Sequence, residues 1–407
     1  MKEKEKTPTM APEDPVKKQM HTISTSELER RWKAVRDMMH NNHFDYLIIR
    51  NDESFLGGGV KWFTDFPATN NYPVTVIFPS HEEMTFISHG APAPAEPGPP
   101  PWAVRGVKTR LGSNYFASAH YTNAYDAELA AGVLKEKKGA VIGLVGKAFI
   151  PLSFYEHLTK HLAGANFVDA TDQIDHLMAI KSPEEIELII SVAALQDVAM
   201  EHVRKSIRPG KREFEIAAEA QYSCSLQGSY RYVLLIGSGP SGTPVAHQGH
   251  RFQNRVIKEG DQVTVLIEVN GPSGFWTELG RIFSVGKPSQ ELQDAFGVSL
   301  EAQNISLDLL KPGASPKEAW DANNAFLVKK GFFPEMRAYA HGQGYHFVER
   351  PIIRDDEPMK IKTGMNITVH PTATNKTVWA GLTDNYIITG KGPGPCIHKT
   401  PKEAIVI

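Results

Sequence analysis

The sequence predicts an α+β protein made of an amino-terminal α/β domain followed by two duplicated αβ halves. Three observations lead to this fold class. Helical and strand patterns alternate over 26–179, a strong helix start occurs at 182–185, and the rest of the chain repeats weakly at an offset of 102–103 residues. A chain of 407 residues is long enough for two or three domains of ordinary size.

The composition is that of an ordinary globular protein. Hydrophobic residues make up 41% and charged residues 22%, and the formal net charge is −2. Because no long basic run occurs, we expect neither a nucleic-acid partner nor a membrane surface, and a small-molecule substrate instead. Cys224 and Cys396 are too few for a disulfide framework, and no stretch approaches about 18 apolar residues. These features predict a cytoplasmic protein.

Residues 23–180 are expected to form the first domain, after a charged, disordered tail at 1–22. An amphipathic helical pattern comes first, and strand patterns follow at FDYLIIRN, YPVTVIF, MTFISHG and AVIGLVG. The stretch APAPAEPGPPPW at 91–102 is too rich in proline for either element. We interpret it as a surface excursion, with a lid or a subunit contact as the alternative.

A second domain is predicted at 181–407 because a complete helix start opens it. Ser182 can be the N-cap, Pro183 occupies the first helical position, and Glu185 can reach back to close a capping box. Isoleucines and alanines then recur on one helical face, which predicts a helix packed against a core.

This second domain contains the internal repeat. One helix ends in IRPG at 207–210 and another in LKPG at 310–313, and each introduces a further helix, the later one with an expected capping box at Ser315. Each copy then has a loop with histidine, a strand led by glycine (GDQVTVLIEV or GMNITVHP) and an aromatic strand (GFWTELGRIF or VWAGLTDNYIIT). Four matches in one order predict halves packed about a pseudo-twofold axis.

Equivalent positions of the two halves should face each other across this axis, and several carry titratable side chains. His370 corresponds to Glu268, 102 residues earlier, and Asp384 corresponds to Glu278. Buried titratable groups are costly unless they serve chemistry. We therefore expect these residues to converge in one cleft: Glu268, Glu278, His370, Asp384 and the loop histidines His247 and His341.

The segments IKSPEEIELI, HGQGYHFVERP and GMNITVHP, together with the repeated halves, resemble the pita-bread superfamily of creatinase, aminopeptidase P, prolidase and methionine aminopeptidase. The resemblance covers nearly the whole chain. It implies a creatinase-type amino-terminal domain before a pita-bread catalytic domain, in which the two halves surround a curved antiparallel sheet. It also implies a homodimer.

Peptidases of this superfamily hold two divalent metal ions with two aspartates, a histidine and two glutamates. By resemblance these positions fall, in that order, on Glu268, Glu278, His341, His370 and Thr383. Only the histidine is retained, and two carboxylates would leave two ions under-neutralised in a buried site. The expected cofactor is therefore none or one divalent ion, since two glutamates and two histidines can hold a single zinc or iron.

The resemblance leaves three functions open. The leading hypothesis is a creatinase-type hydrolase of a C–N bond in a small molecule, or a lyase, because creatinase works by acid–base chemistry and a further peptidase histidine falls on Val348. The second is a mononuclear metal-dependent Xaa-Pro peptidase or prolidase-like dipeptidase. The third is a non-catalytic binding protein on the same scaffold. The expected catalytic residues are His247, Glu268, Glu278, His341 and His370, with His250 as the alternative to His247.

Five further residues are candidates for substrate binding. Arg281 and Arg350 could clamp a substrate carboxylate, with internal ion pairs to Glu278 or Glu349 as the alternative. Trp276 could form part of an aromatic wall or belong to the core. The complete set is His346, Arg350, Arg281, Trp276 and Asp384.

Overall fold

The computed structural model describes residues 22–91 and 103–407. The predictions for the tail at 1–22 and the proline-rich stretch at 91–102 therefore fall outside the described residues, except at the single positions 22 and 91. In the described part of the chain, no helix is both long enough and apolar enough to cross a lipid bilayer.

The first unit is a six-stranded mixed sheet with helices on both faces. Its helices are α1 (Thr25–Asn42), α2 (Gly58–Thr64), α3 (Tyr125–Leu134), α4 (Leu152–His161) and α5 (Thr171–Met178). Its strands are β1 (Tyr46–Asn51), β2 (Val74–Pro79), β3 (Met84–His89), β4 (Val107–Ser113), β5 (Val141–Val145) and β6 (Asn166–Asp169). The four predicted strand patterns thus form β1, β2, β3 and β5.

The strand order is β4-β3-β2-β1-β5-β6, with β1 antiparallel to β2 and parallel to β5. Strand β1 is buried on both faces. Leu47 and Ile49 pack in one hydrophobic cluster and Ile48 in another, so the sheet separates two cores. A continuous apolar strand rather than an alternating one is the pattern expected for such a position.

The second unit contains the predicted repeat. Its helices are α6 (Pro183–Ser206), α7 (Glu213–Leu226), α8 (Gln290–Leu309) and α9 (Pro316–Lys329). Its longer strands are β7 (Tyr232–Pro240), β8 (Asp261–Asn270), β9 (Trp276–Ser284), β12 (Asn366–Val369), β15 (Asp384–Thr389) and β16 (Gly392–Cys396). The shorter strands are β10 (Ala340–Gly342), β11 (Glu349–Ile352), β13 (Thr372–Thr374), β14 (Trp379–Gly381) and β17 (Ala404–Val406).

Each half places a helix pair against its own sheet. The first half has the sheet order β17-β9-β8-β7, and its core lies between this sheet and helices α6 and α7. The second half has the order β11-β10-β12-β15-β16, with β13 and β14 as a separate pair. The predicted duplication is therefore present as two helix-covered sheets.

The two sheets are joined at a glycine on β9. The N–H of Gly280 donates to the carbonyl oxygen of Thr383 at 3.1 Å, and the N–H of Thr383 donates back at 3.2 Å. A Cβ atom at position 280 would lie 2.7 Å from Thr383 Oγ1, so the approach depends on glycine. The single strand predicted at VWAGLTDNYIIT is wrong, because the chain divides here into β14 and β15, which belong to different sheets.

Helix α6 begins as predicted. The Ser182 side chain accepts the Glu185 N–H at 3.2 Å, and the Glu185 carboxylate accepts the Ser182 N–H at 2.7 Å. The second expected capping box is wrong: Ser315 is the N-cap of α9, but its side chain makes no capping hydrogen bond.

Glu185 also connects α6 to the first unit. The guanidinium of Arg31, which is fully buried on α1, donates to Glu185 at 2.7 Å, to Glu27 at 3.0 Å and to the Trp62 carbonyl oxygen at 2.9 Å. One carboxylate therefore caps the helix and neutralises a buried cation from the other unit.

We expect Arg31→Met to lower the free energy of unfolding by about 3–5 kcal/mol, because the buried Glu185 carboxylate loses the arginine that hydrogen-bonds it, while Glu27 keeps Arg30. Denaturant unfolding followed by circular dichroism measures this loss. Arg30→Met is the matched control: Arg30 is half-exposed and pairs with the same Glu27, so its loss should cost less than about 1 kcal/mol. Equal losses for the two variants would contradict a special role for the buried arginine.

Candidate functional site

A cavity of about 440 Å³ lies where the two halves of the second unit meet. Strands β7, β8 and β9 contribute one side of its wall, and β10, β13 and β14 contribute the other. Its volume is in the range of small-molecule sites. All five residues predicted to be catalytic line it: His247, Glu268, Glu278, His341 and His370.

The two glutamates come from neighbouring strands of the first half. Glu268 on β8 and Glu278 on β9 are directly opposite in register, and both side chains are buried. Burial raises the pKa of Glu278 to about 7, and burial together with the adjacent Glu278 raises the pKa of Glu268 well above its ordinary value. The pair therefore holds protons at a pH where exposed glutamates have lost them.

A network of buried amides fixes Glu268. Gln343 donates its Nε2 hydrogen to Glu268 Oε1 at 2.8 Å, and its Oε1 accepts from Asn385 at 2.8 Å. Asn385 in turn accepts the backbone N–H of Glu278 at 2.8 Å. Sequence reasoning missed both amides; the only available signal was a polar residue between the glycines of HGQGYH.

His341, on β10, presents a free ring nitrogen to Glu278. Its Nδ1 lies 2.9 Å from the carbonyl oxygen of Gly342, which can only accept, so Nδ1 carries the proton. Its Nε2 lies 3.7 Å from Glu278 Oε2 and makes no hydrogen bond to a described residue. Burial lowers the pKa of His341 to about 4, so its Nε2 lone pair is available at neutral pH.

His370 directly follows β12 and stands beside His341. Its backbone N–H donates to the Tyr339 carbonyl oxygen at 2.8 Å, and the two imidazole rings are 5.4 Å apart between centroids. Burial, with the nearby His341 ring as a smaller cause, lowers the pKa of His370 well below its ordinary value. Glu278, His341 and His370 form a compact group in which one ligand atom from each residue lies within 4.8 Å of the others.

His247 also lines the cavity. Its ring packs edge-on against Trp379 with 4.7 Å between centroids, and burial lowers its pKa to about 4. His250, the alternative from the sequence, is exposed and is not among the lining residues.

The structure does not bring three of the predicted substrate-binding residues to this cavity. Arg281 and Asp384 are fully buried and form an ion pair at 2.7 Å, which holds the pKa of Asp384 below its ordinary value against the effect of burial. Trp276 is fully buried and packs between Phe55 and Phe347. Asp384 was expected to enter the cavity as the counterpart of Glu278. This expectation is wrong, because the Asp384 side chain faces Arg281 instead of the cavity.

His346 and Arg350 line a different cavity, of about 190 Å³, between the first and second units. Arg350 pairs with Glu357 and Asp172, whereas Glu349, its expected partner, pairs with Lys181 at 2.6 Å. Val348 is a wall residue of both cavities. Neither predicted side chain is therefore placed beside Glu268 and Glu278.

Two charged residues at the rim of the larger cavity were missed. Glu335 and Arg337 lie in the loop between α9 and β10 and line the cavity. The sequence around them, FFPEMRAYA, follows no helical or strand period, so no pattern pointed to them.

A second cluster of possible ligands, Asp384, Cys396 and His398, does not suit a metal ion. His398 accepts the Asn385 N–H at Nδ1, and its Nε2 lies 2.9 Å from Gln196 Oε1, so both ring nitrogens are engaged. Asp384 is already neutralised by Arg281. This cluster is a hydrogen-bonded part of the core.

The first cluster does suit one ion. A carboxylate and two imidazoles with a fourth position left open form a donor set of catalytic zinc sites, and the carbonyl bonded to His341 Nδ1 is the usual support of such a ligand. Thr383 lines the cavity at a position where the resemblance expects a carboxylate ligand, and Glu268 is directly opposite Glu278 in register. The donor set of Glu278, His341 and His370 could therefore hold a divalent ion.

Comparison with known sequences gives a consistent set of relatives. The profile described as "Metallopeptidase family M24" matches residues 187–391, just over half of the chain. The "Uncharacterized peptidase YqhT" of Bacillus subtilis is 26% identical over 262 residues, which cover 62% of this chain and 71% of that protein. The "Probable dipeptidase PepE" of Mycobacterium bovis is 24% identical over 240 residues, which cover 58% of this chain and 63% of that protein.

Comparison with solved structures identifies the fold. The Xaa-Pro dipeptidase from Bacillus anthracis superposes with a TM-score of 0.74 at 22% identity, covering 93% of this chain and 100% of that chain. The predicted pita-bread fold with an amino-terminal domain is confirmed.

We expect Glu268→Gln to stabilise the metal-free protein by about 0.5–2 kcal/mol at pH 8, and by less at pH 5.5. The pKa of Glu268 is higher in the folded protein than in the unfolded chain. The folded state is therefore destabilised as the pH rises from the pKa of the unfolded chain through the pKa of the folded protein, and glutamine, which does not titrate, avoids this loss. The substituted amide can still accept a hydrogen bond from Gln343. Thermal unfolding of both proteins at the two pH values in a chelator measures the difference; a benefit independent of pH would contradict the raised pKa.

Proposed function

The chain belongs to metallopeptidase family M24 and is a hydrolase of the creatinase/aminopeptidase P superfamily, and from this premise we propose that it cleaves an amide bond in short peptides with one divalent metal ion. The observation that carries the proposal is the compact group of Glu278, His341 and His370. The proposal replaces the creatinase-type reaction, which the sequence alone favoured, with the peptidase alternative. Family membership also favours an enzyme over a binding protein.

Glu278, His341 and His370 would hold the ion. When bound, a divalent ion polarises a carbonyl group and lowers the pKa of water, which is the chemistry that amide hydrolysis needs. The two histidines are neutral at pH 7 because burial lowers their pKa values, so they are ready to act as ligands. With the ion bound, Glu278 and Glu268 would be ionised, and their two negative charges would balance its +2 charge.

Glu268 is the proposed proton acceptor. It lies beside Glu278 but outside the three-ligand group, and Gln343 holds one of its oxygens. A carboxylate with a raised pKa can take a proton from attacking water and return it to the leaving amine near neutral pH. We assign His247, which is neutral at pH 7 and packs against Trp379, to hydrogen-bond the substrate.

The names of related proteins support a short peptide as substrate. The PepE relative is called a probable dipeptidase, and the Bacillus anthracis protein with the same fold is called an Xaa-Pro dipeptidase. A cavity of about 440 Å³ has room for a substrate of that size.

A second candidate function is metal-free acid–base hydrolysis of a C–N bond, as in creatinase. Its support is that, by the resemblance, His370 and Thr383 fall where the superfamily's peptidases carry carboxylates, and that the pKa of Glu268 is raised. The two candidates differ in whether activity needs an ion.

We expect the purified chain, after chelation and dialysis, to bind about one Zn²⁺, Mn²⁺ or Co²⁺ per chain, since the donor set suits one ion. Elemental analysis after gel filtration measures the ratio. His341→Ala should lose the bound ion, and its kcat/KM for a panel of Xaa-Pro dipeptides should fall on the order of 100-fold or more. His250→Ala is the matched control and should keep both, because His250 is exposed and does not line the cavity. Two ions per chain, or none, would overturn the ligand assignment.

Activity after exhaustive chelation separates the two candidates. Hydrolysis of the dipeptide panel should disappear in the chelator and return when a divalent ion is added, because the carbonyl is otherwise not polarised. Turnover of amides or amidines that persists without metal would favour the creatinase-type reaction instead.

A further inference from the structure

Arg337 is distinctive among the residues that line the larger cavity. Within the described lining, it is the one arginine or lysine, against three carboxylates at Glu268, Glu278 and Glu335. Its side chain is exposed to the cavity mouth and forms no hydrogen bond or ion pair with any described residue. Other arginines near the site already form ion pairs: Arg281 pairs with Asp384, and Arg350 pairs with Glu357.

The loop that carries Arg337 is fixed from three sides. The Asn324 side chain on α9 bonds both the N–H and the carbonyl oxygen of Glu335, at 2.8 and 3.2 Å. The Phe333 N–H donates to the Thr374 carbonyl oxygen at 2.9 Å, and Arg354 donates to the carbonyl oxygen of Arg337 itself at 2.7 Å. The backbone is thus held in place while the guanidinium is left unpaired.

Glu335 does not neutralise this guanidinium. One of its carboxylate oxygens instead accepts the backbone N–H of Arg337 at 2.7 Å. A guanidinium presents paired N–H donors that match the two oxygens of a carboxylate, and such bidentate bonds are strong and directional. An anchored arginine with free donors at the mouth of a reaction cavity is therefore suited to binding an anion that enters from solution.

We propose that Arg337 binds a carboxylate of the substrate and so selects short substrates with a free carboxyl group. This inference rests on the proposed function for the identity of the cavity as the reaction site. Arg337 is four residues from His341, so their Cα atoms are at most about 14 Å apart. A carboxylate bound by Arg337 is then within a short peptide's length of Glu278, His341 and His370. The sequence suggested that Arg281 or Arg350 binds a substrate carboxylate. We assign this role to Arg337 instead, which the sequence analysis did not identify.

The test compares L-alanyl-L-proline with its carboxy-terminal amide, which differs only in the carboxylate. Binding to the full-length chain is measured by calorimetry in a chelator, and hydrolysis is measured separately with a divalent ion. The wild-type protein should bind the free acid roughly 10- to 100-fold more tightly than the amide, as expected for charge-assisted hydrogen bonds. In Arg337→Met this preference should disappear, and Arg337→Lys should restore part of it.

Arg251→Met is the matched control, because Arg251 is exposed and lies outside the cavity lining; it should keep the full preference. With the ion present, Arg337→Met should raise KM for the acid with little change in kcat. The proposal is overturned if the wild type binds the acid no better than the amide, if it binds neither, or if Arg337→Met weakens both equally. If the preference depends on Arg337 but no metal-dependent hydrolysis occurs, the proposed function fails and the carboxylate site stands.

Discussion

The backbone bridge between Gly280 and Thr383 determines how the two halves of the second unit meet. Two reciprocal hydrogen bonds connect the sheets there, and the contact is so close that a Cβ on Gly280 would collide with the Thr383 side chain. Because strands are locally stiff, fixing one point where the sheets meet also fixes the positions of side chains a few residues away. Glu278 is two residues from Gly280 on β9, and Asp384 follows Thr383. The composition of the cavity follows from this junction.

The junction brings carboxylates from the first half against imidazoles from the second. Glu268 and Glu278 are neighbours in one sheet, and His341 and His370 come from the other. All four are driven by burial towards their neutral forms, so the acids retain protons and the histidines lose them. Burying such a group costs free energy, and the cation that we propose to bind there would offset this cost.

The buried cluster around Asp384 makes the contrast clear. It contains the same kinds of residues, including a carboxylate, a histidine and a cysteine within ligand distance. There, however, Arg281 neutralises the carboxylate and both nitrogens of His398 have partners. Residue type therefore does not distinguish a site from a core. The deciding property is whether the hydrogen-bonding and charge requirements of the group are already met within the protein.

The sequence by itself determined strands β1, β2, β3 and β5, the capping box at Ser182, the duplicated halves and the convergence of five of the six expected cleft residues, His247, Glu268, Glu278, His341 and His370 but not Asp384. These features depend on local periodicity, on capping residues and on the internal repeat, all of which can be recognised in the linear sequence. The tertiary structure alone decided which charges are paired: Asp384 with Arg281, Arg350 with Glu357, and Arg337 with no described residue. It also divided the last aromatic strand between two sheets and placed the Gln343 and Asn385 amides behind the glutamates. Pairing between residues distant in sequence depends on side-chain direction and burial in the packed chain, which a linear pattern does not contain.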